Sequence, residues 1–260
     1  MFDEVIESEL RYLQQCGGNR IHQMNSIGIF TLRELIDADD IFLKRLPGVF
    51  DWHVKRWKLQ ANLLLNNQSL VLKKPSNPKE FIYYDIETDT TQNLVWLIGI
   101  YNLKNKGFKQ FLAKTPEEEK NILLEFKKYL NENSSFKLCS YSGSRFDRRV
   151  IESRLRQLDI SLSPLDNIFE YDLGIEIQKT FLAKVQNYKL STIGDFFNYP
   201  WKHKHQIDGF WVAWTYEKHL RDKSVKINWN QLLEYNRDDV LVLPLIIKKM
   251  IEIYENSESL

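Results

Sequence analysis

Residues 81–88 read FIYYDIET, a run of aromatic and aliphatic side chains that ends with an Asp and a Glu two positions apart. In a strand, residues i and i+2 project from the same face. Asp85 and Glu87 would therefore stand together at the end of a segment otherwise suited to a protein core. Two like charges so placed, partly out of water, raise each other's pKa and destabilise the fold unless something positive compensates. A divalent cation is the natural compensation, because Mg²⁺ and Mn²⁺ take carboxylate oxygens. A strand that simply ends here, with both groups solvated, is the other reading open from these two residues alone.

Working outward, LVWLIGIY (94–101) and GFKQFL (107–112) read as two further strands, with turn signals at TDTTQN and NLKNKG between them. PEEEKNILLEFKKYLNEN (116–133) reads as a helix opened by Pro116 and an acidic first turn. FKLCSY (136–141) is a short strand, FDRRVIESRLRQL (146–158) a helix, and helices dominate from about 166 to a long last one near 229–255. Three meandering strands followed by strand–helix units imply an α/β fold, a mixed sheet with helices packed on it. Upstream, VLKKPSNPKE (71–80) carries two prolines in a polar cluster and is the best linker. The expected division is 1–72 as a small all-helical domain, 73–80 as linker and 81–260 as the α/β domain. In the first part, Thr31 and Glu34 form a capping-box signature before an apolar face of Leu32, Leu35 and Ile36. Asp51 is placed to cap a helix with Val54, Trp57, Ala61 and Leu64 on its inner face.

With 43% hydrophobic and 27% charged residues in 260, the chain has the composition of a soluble globular protein. A formal charge of +1 gives no general attraction to nucleic acid or membrane, so a basic surface would have to be local. Two cysteines are too few for a disulfide framework or a zinc site. The N-terminus shows no signal-peptide pattern and no run reaches membrane-span length. The expectation is an intracellular, cytoplasmic protein without membrane contact or organic cofactor.

Two more stretches bear on the carboxylates. In SYSGSRFDRRVI, Asp147 follows a strand and opens a helix, where an acidic first-turn residue is also ordinary. In LEYNRDDVLVLPLI, Tyr235 and Asp239 stack on one helical face, while Asp238 lies about 100° round. The order and spacing of FIYYDIET, YSGSRFD and YNRDDV resemble the three motifs of the DEDD superfamily of 3′–5′ exonucleases, which has the RNase H-like fold. The nearest likeness is to its YprB-like branch of predicted exonucleases, supported by WLIGIY, EYDLGIEIQ, LSTIGDFF and DGFWVAWTY. The resemblance spans about 81–250. It implies metal ligands at Asp85, Glu87, Asp147 and Asp239, two Mg²⁺ or Mn²⁺ ions, and Tyr235 as the residue that orients the attacking water. All five would be catalytic, and the substrate would be DNA or RNA, single-stranded ends first. Similar proteins often have Asn at the position of Ser142. An inactive RNase H-like binding module and an RNase H-like endonuclease remain open as alternatives.

IGIFTLRELI and LPGVFDWHVKRW resemble helix-hairpin-helix elements, which hold a nucleic-acid backbone. Gly48 would make the tight turn, with Lys55, Arg56 and Lys58 adding positive charge; a helical packing or protein-contact domain is the other reading. Arg145, Arg148 and Arg149, flanking Asp147, are candidates to steer a strand into the site, and covering a helix face is the equal alternative. The KHKH run with His203 and His205 reads as a solvated basic loop. Of the aromatics Phe196, Phe197, Trp211, Trp214 and Tyr216, most are expected in the core, although base stacking is the alternative use.

Overall fold

The computed structural model describes residues 9–144, 146–202 and 207–258, which form two compact units. Arg145, His203 and His205 lie outside the described residues. One unit gathers the described chain up to Lys74 with Ile177–Thr192 and the residues from Met250. The other holds Pro75–Glu176 and Ile193–Lys249.

The first unit is built on helices α1 (Gly18–Ser26), α2 (Leu32–Asp37), α3 (Asp40–Leu43) and α4 (Asp51–Leu65). A short strand β1 (Leu70–Val71) pairs antiparallel with Phe181–Leu182. Thr31 accepts the Glu34 amide and Glu34 accepts the Thr31 amide, so the capping box forms and sets the start of α2. At α4 the cap is Phe50, whose amide donates to His53 Nδ1 at 3.0 Å. Asp51 is the first helical residue rather than the cap. Val54, Trp57, Ala61 and Leu64 form the buried face of α4, as the spacing implied. Gly28 and Gly48 end their turns at φ of 84° and 71°, where only glycine sits without steric penalty.

The second unit runs β2 (Phe81–Thr88), β3 (Val95–Asn102), β4 (Gly107–Leu112), α5 (Glu119–Glu132), β5 (Lys137–Ser140), α6 (Asp147–Gln157) and β6 (Glu170–Asp172). Helices α7 (Leu173–Thr180) and α8 (Leu190–Phe196) have residues in both units, α9 (Gly209–Arg221) lies in this one, and the 30-residue α10 (Trp229–Glu258) again has residues in both. The sheet order is β4-β3-β2-β5-β6. β2, β3 and β4 are antiparallel neighbours, while β5 and β6 run parallel to β2. This is the mixed sheet expected; its fifth strand, Glu170–Asp172, falls where helices were expected to dominate. No helix among the described residues is long and apolar enough to cross a membrane.

β2 is central and covered on both faces. Ile82, Tyr84 and Ile86 join a core with Phe111, Phe126 of α5 and Ile151 of α6. Burial of a ring such as Phe126 contributes about 1.5–3 kcal/mol. By the strand period, Asp85 and Glu87 leave β2 on the opposite face, with Phe81 and Tyr83. The β2–β3 register shifts between Glu87 and Thr88, a bulge of the kind that re-aims a side chain. Trp96 Nε1 donates to Thr88 O at 3.0 Å and its ring stacks on Tyr216 at 4.5 Å, so core packing pins the bulge next to Glu87.

Candidate active site

Among the described residues, carboxylate oxygens of Asp85, Glu87 and Asp239 lie within 4.8 Å of one another. Two come from the end of β2 and the third from α10, 152 positions beyond Glu87 in the chain. The group opens into a cavity of about 370 Å³ that Asp147, Phe146 and Tyr235 also line, with Gly209 and Ala213 of α9 forming a further wall. Asp147, the first residue of α6, is buried in that wall but lies outside the group of three. Tyr235 and Asp239 share a face of α10, and the Tyr235 side chain hydrogen-bonds Asp239. Asp238 points elsewhere: it is buried, accepting from Tyr199 Oη at 3.1 Å and the Lys202 amide at 2.8 Å.

Burial dominates the electrostatics. It pushes the Asp85 carboxyl up to about 7, against a lowering hydrogen bond from Asn236. Glu87 is driven well up by burial and then by the charges of Asp85, Asp239 and Asp147. Asp147 and Asp239 are raised for the same reasons, burial first and Asp85 next. Burial, then the neighbouring carboxylates, also raises the Tyr235 hydroxyl, so it stays protonated and serves as a hydrogen-bonding group rather than a base. Glu87 Oε1 is buried without a hydrogen-bond partner among the described residues. An orphaned carboxylate oxygen facing two more carboxylates is a donor set suited to a hard divalent cation.

Sequence reasoning passed over the groups that hold these acids in place. Asn236 Nδ2 donates to Asp85 Oδ2 at 2.9 Å and to Asp85 O at 3.3 Å. Gln110 Nε2 of β4 in turn donates to Asn236 Oδ1 at 3.0 Å and to Leu233 O at 2.8 Å. This relay needs α10 close to β3. Gly99 lies opposite Asp85 in the strand register, and a Cβ there would fall 2.1 Å from Asn236 Oδ1. The glycine is what admits the amide.

The loop before Asp147 has its own clamp. Asp172, at the end of β6, accepts from the amides of Ser142 (2.9 Å), Ser144 (3.2 Å) and Ile175 (3.0 Å) and from Ser144 Oγ (2.5 Å). Ser142 sits at φ 62°, in the left-handed region that Asn tolerates better than Ser. A Cβ on Gly143 would meet Asp147 Oδ2 at 2.3 Å, so this glycine leaves room for the carboxylate. Asp172 falls in a three-residue strand, too short to show periodicity, which is why only its neighbour-rich context reveals it.

The basic candidates are placed differently from the expectation. Arg148 faces inward: Nε donates to Glu152 (2.9 Å), Nη1 to Ile168 O (2.8 Å) and Nη2 to Leu165 O (2.5 Å). It ties α6 to the 165–168 segment and offers no fork to a phosphate. In the first unit, Arg56 is half-buried and donates to Gln14 Oε1 and Gln178 O. Lys58 pairs with Asp40 at 2.6 Å and donates to Ala38 O. Lys55 is exposed and pairs with Asp51 at 2.8 Å. Charge on a helix was legible in the sequence; the partners that consume it were not.

A mixed five-stranded sheet with a carboxylate cluster at the end of its central strand defines an RNase H-like α/β protein. The model of the RNase_H_2 family, of the RNase_H superfamily, matches residues 82–251, and the chain belongs to that family. Among solved structures, it is similar to the family B DNA polymerase from the hyperthermophilic archaeon Pyrobaculum calidifontis, with a TM-score of 0.52 and 13% identity. The match covers 86% of this chain and 35% of the polymerase, and the likeness is one of fold. No curated protein matches the chain. Fold and family together support a nuclease-like function.

Proposed function

We propose that the chain is a metal-dependent 3′–5′ exonuclease of the DEDD type with the Tyr-x-x-x-Asp third motif. The observation that carries the reading is the convergence of Asp85, Glu87 and Asp239 on one cavity that Asp147 and Tyr235 also line. These four carboxylates would hold Mg²⁺ or Mn²⁺, with charge to match about two dications. Bound divalent ions supply a hydroxide at neutral pH and stabilise charge on the attacking and leaving oxygens of a phosphodiester.

The chain's own residues do the positioning. Glu87, with an oxygen already stripped of partners, is pre-set as a ligand. The Gln110–Asn236 relay holds the Asp85 carboxylate in one orientation. Tyr235, kept protonated with its one O–H donated to Asp239, can accept a hydrogen bond from a water and so orient it. The first unit, with its glycine turns at Gly28 and Gly48, is read as a helix-hairpin-helix module that helps hold the substrate backbone. Lys55, exposed although paired with Asp51, is one of its surface cations.

End-labelled single-stranded DNA and RNA, incubated with Mg²⁺, Mn²⁺ or EDTA beside an Asp85→Ala variant, test the reading. A metal-dependent ladder that shortens from the 3′ end and disappears in the variant is expected. Cuts within a circular strand would indicate an endonuclease instead, and binding without cleavage under either metal an inactive module.

A further inference from the structure

Helix α9 presents three different stripes. Successive residues step about 100° round a helix. Val212 and Tyr216 face the core, where Tyr216 stacks on Trp96. Gly209 and Ala213, next round, line the carboxylate cavity. Phe210, Trp214 and Lys218 follow at i, i+4 and i+8, one step beyond the cavity-lining stripe. Phe210 is 71% exposed and Trp214 45% exposed. Lys218 Nζ lies over the Trp214 ring, 4.8 Å from its centre. Large rings on a helix normally face inward; here the inward places are taken by Val212 and Tyr216, so neither ring serves the core.

We propose that Phe210, Trp214 and Lys218 form a stacking ladder for a single nucleic-acid strand whose 3′ end enters the carboxylate cavity. The inference rests on the nuclease reading and adds to it the residues that would bind the strand, through its bases. Three observations favour that occupant. The ladder is continuous with the cavity wall through the adjoining Gly209 and Ala213. Rings four residues apart are separated by about 6 Å along the axis, close to twice the about 3.4 Å repeat of a strand. Lys218, lying over one face of Trp214, adds a cation to the ladder for the strand's phosphates. Every base has a π-face, so such a ladder binds without sequence preference.

Anisotropy of fluorescein-labelled oligothymidine and oligouridine, titrated with protein in EDTA so that nothing is cleaved, reads the ladder directly. Trp214→Ala and Phe210→Ala should each weaken binding roughly tenfold, while Trp214→Phe keeps most of the affinity. Lys218→Ala should reduce the salt slope by about 1. A strand with abasic 3′-terminal nucleotides should bind wild type as weakly as the intact strand binds Trp214→Ala, and should lose nothing more in that variant. Both rings are exposed, so circular dichroism of the variants should match wild type. Unchanged affinity in both alanine variants, with the strand still degraded by wild type in Mg²⁺, would overturn the ladder and leave the exonuclease reading standing. Wild type that neither binds nor degrades the strands would overturn both. Self-association lost in Trp214→Ala, with strand binding intact, would assign the rings to a protein contact and also overturn the ladder.

Discussion

Asp85→Asn should make the metal-free protein more stable. The substitution keeps the size of the side chain, and its Oδ1 can still accept from Asn236 Nδ2. What it removes is a charge that the fold holds out of water. A carboxyl raised from 3.8 to about 7 by burial penalises the ionised fold by about 4 kcal/mol above neutral pH. Allowing for imperfect fit of the amide, a gain of about 2–4 kcal/mol is expected at about pH 7.5 in EDTA, a rise in melting temperature of roughly 5–15 °C. The sign follows from the direction of the shift. The folded state holds the proton longer, so the favourable contribution is complete below about pH 4 and is lost as pH rises through about 7. Glu87, Asp147 and Asp239 shift the same way. Wild type in EDTA should therefore melt progressively lower from about pH 4 to 7, and the gap to Asp85→Asn should close at the acidic end. Mg²⁺ at a hundred times its Kd should restore about 2.7 kcal/mol to wild type and far less to the variant. Thermal melts by circular dichroism over the pH series read all of this. An Asp85→Asn protein that melts at or below wild type in EDTA at neutral pH would refute the electrostatic reasoning.

Four further substitutions probe the supports of the site. Tyr235→Phe should lower strand degradation roughly 10²-fold while the melting temperature stays within about 2 °C, because only a hydroxyl bonded to Asp239 is lost; an unchanged rate would remove Tyr235 from the mechanism. Gly99→Ala should cost about 1–3 kcal/mol in urea unfolding, since its Cβ would overlap Asn236, and should weaken Mn²⁺ binding measured by calorimetry. Ser142→Gly should stabilise by about 0.5–1 kcal/mol by relieving the left-handed backbone, whereas Asp172→Ala, which strips the same loop of its acceptor, should destabilise by about 2–3 kcal/mol; both are read from thermal melts.

The sheet was legible where hydrophobic runs are long. FIYYDIET, LVWLIGIY and GFKQFL form β2, β3 and β4, and their turns fall at the expected polar clusters. Glu170–Asp172 was missed because three residues show no period, and its place in the sheet is set by pairing to β5. The acids were legible because i, i+2 in a strand and i, i+4 in a helix fix which side chains share a face. That β2 and α10 meet was implied only by the resemblance and not by the residues' own pattern, because it depends on Gly99 and on a contact 137 residues apart in the chain, Gly99 with Asn236. Asn236 itself reads as a polar residue between Tyr235 and Arg237, and only the bond to Asp85 distinguishes it. Arg56, Lys58 and Arg148 show the opposite failure. Their charge is visible in the sequence, but Gln14, Asp40 and the Leu165 and Ile168 carbonyls, which occupy them, are remote.

The most direct measurement is a crystal structure grown with Mn²⁺, with anomalous scattering locating the ion. A peak about 2.0–2.3 Å from carboxylate oxygens of Asp85, Glu87 and Asp239, absent from crystals of Asp85→Asn grown alike, is the expected result. Crystals saturated with Mn²⁺ that show no peak among those three side chains would contradict the assignment of this cavity as a metal-dependent nuclease site.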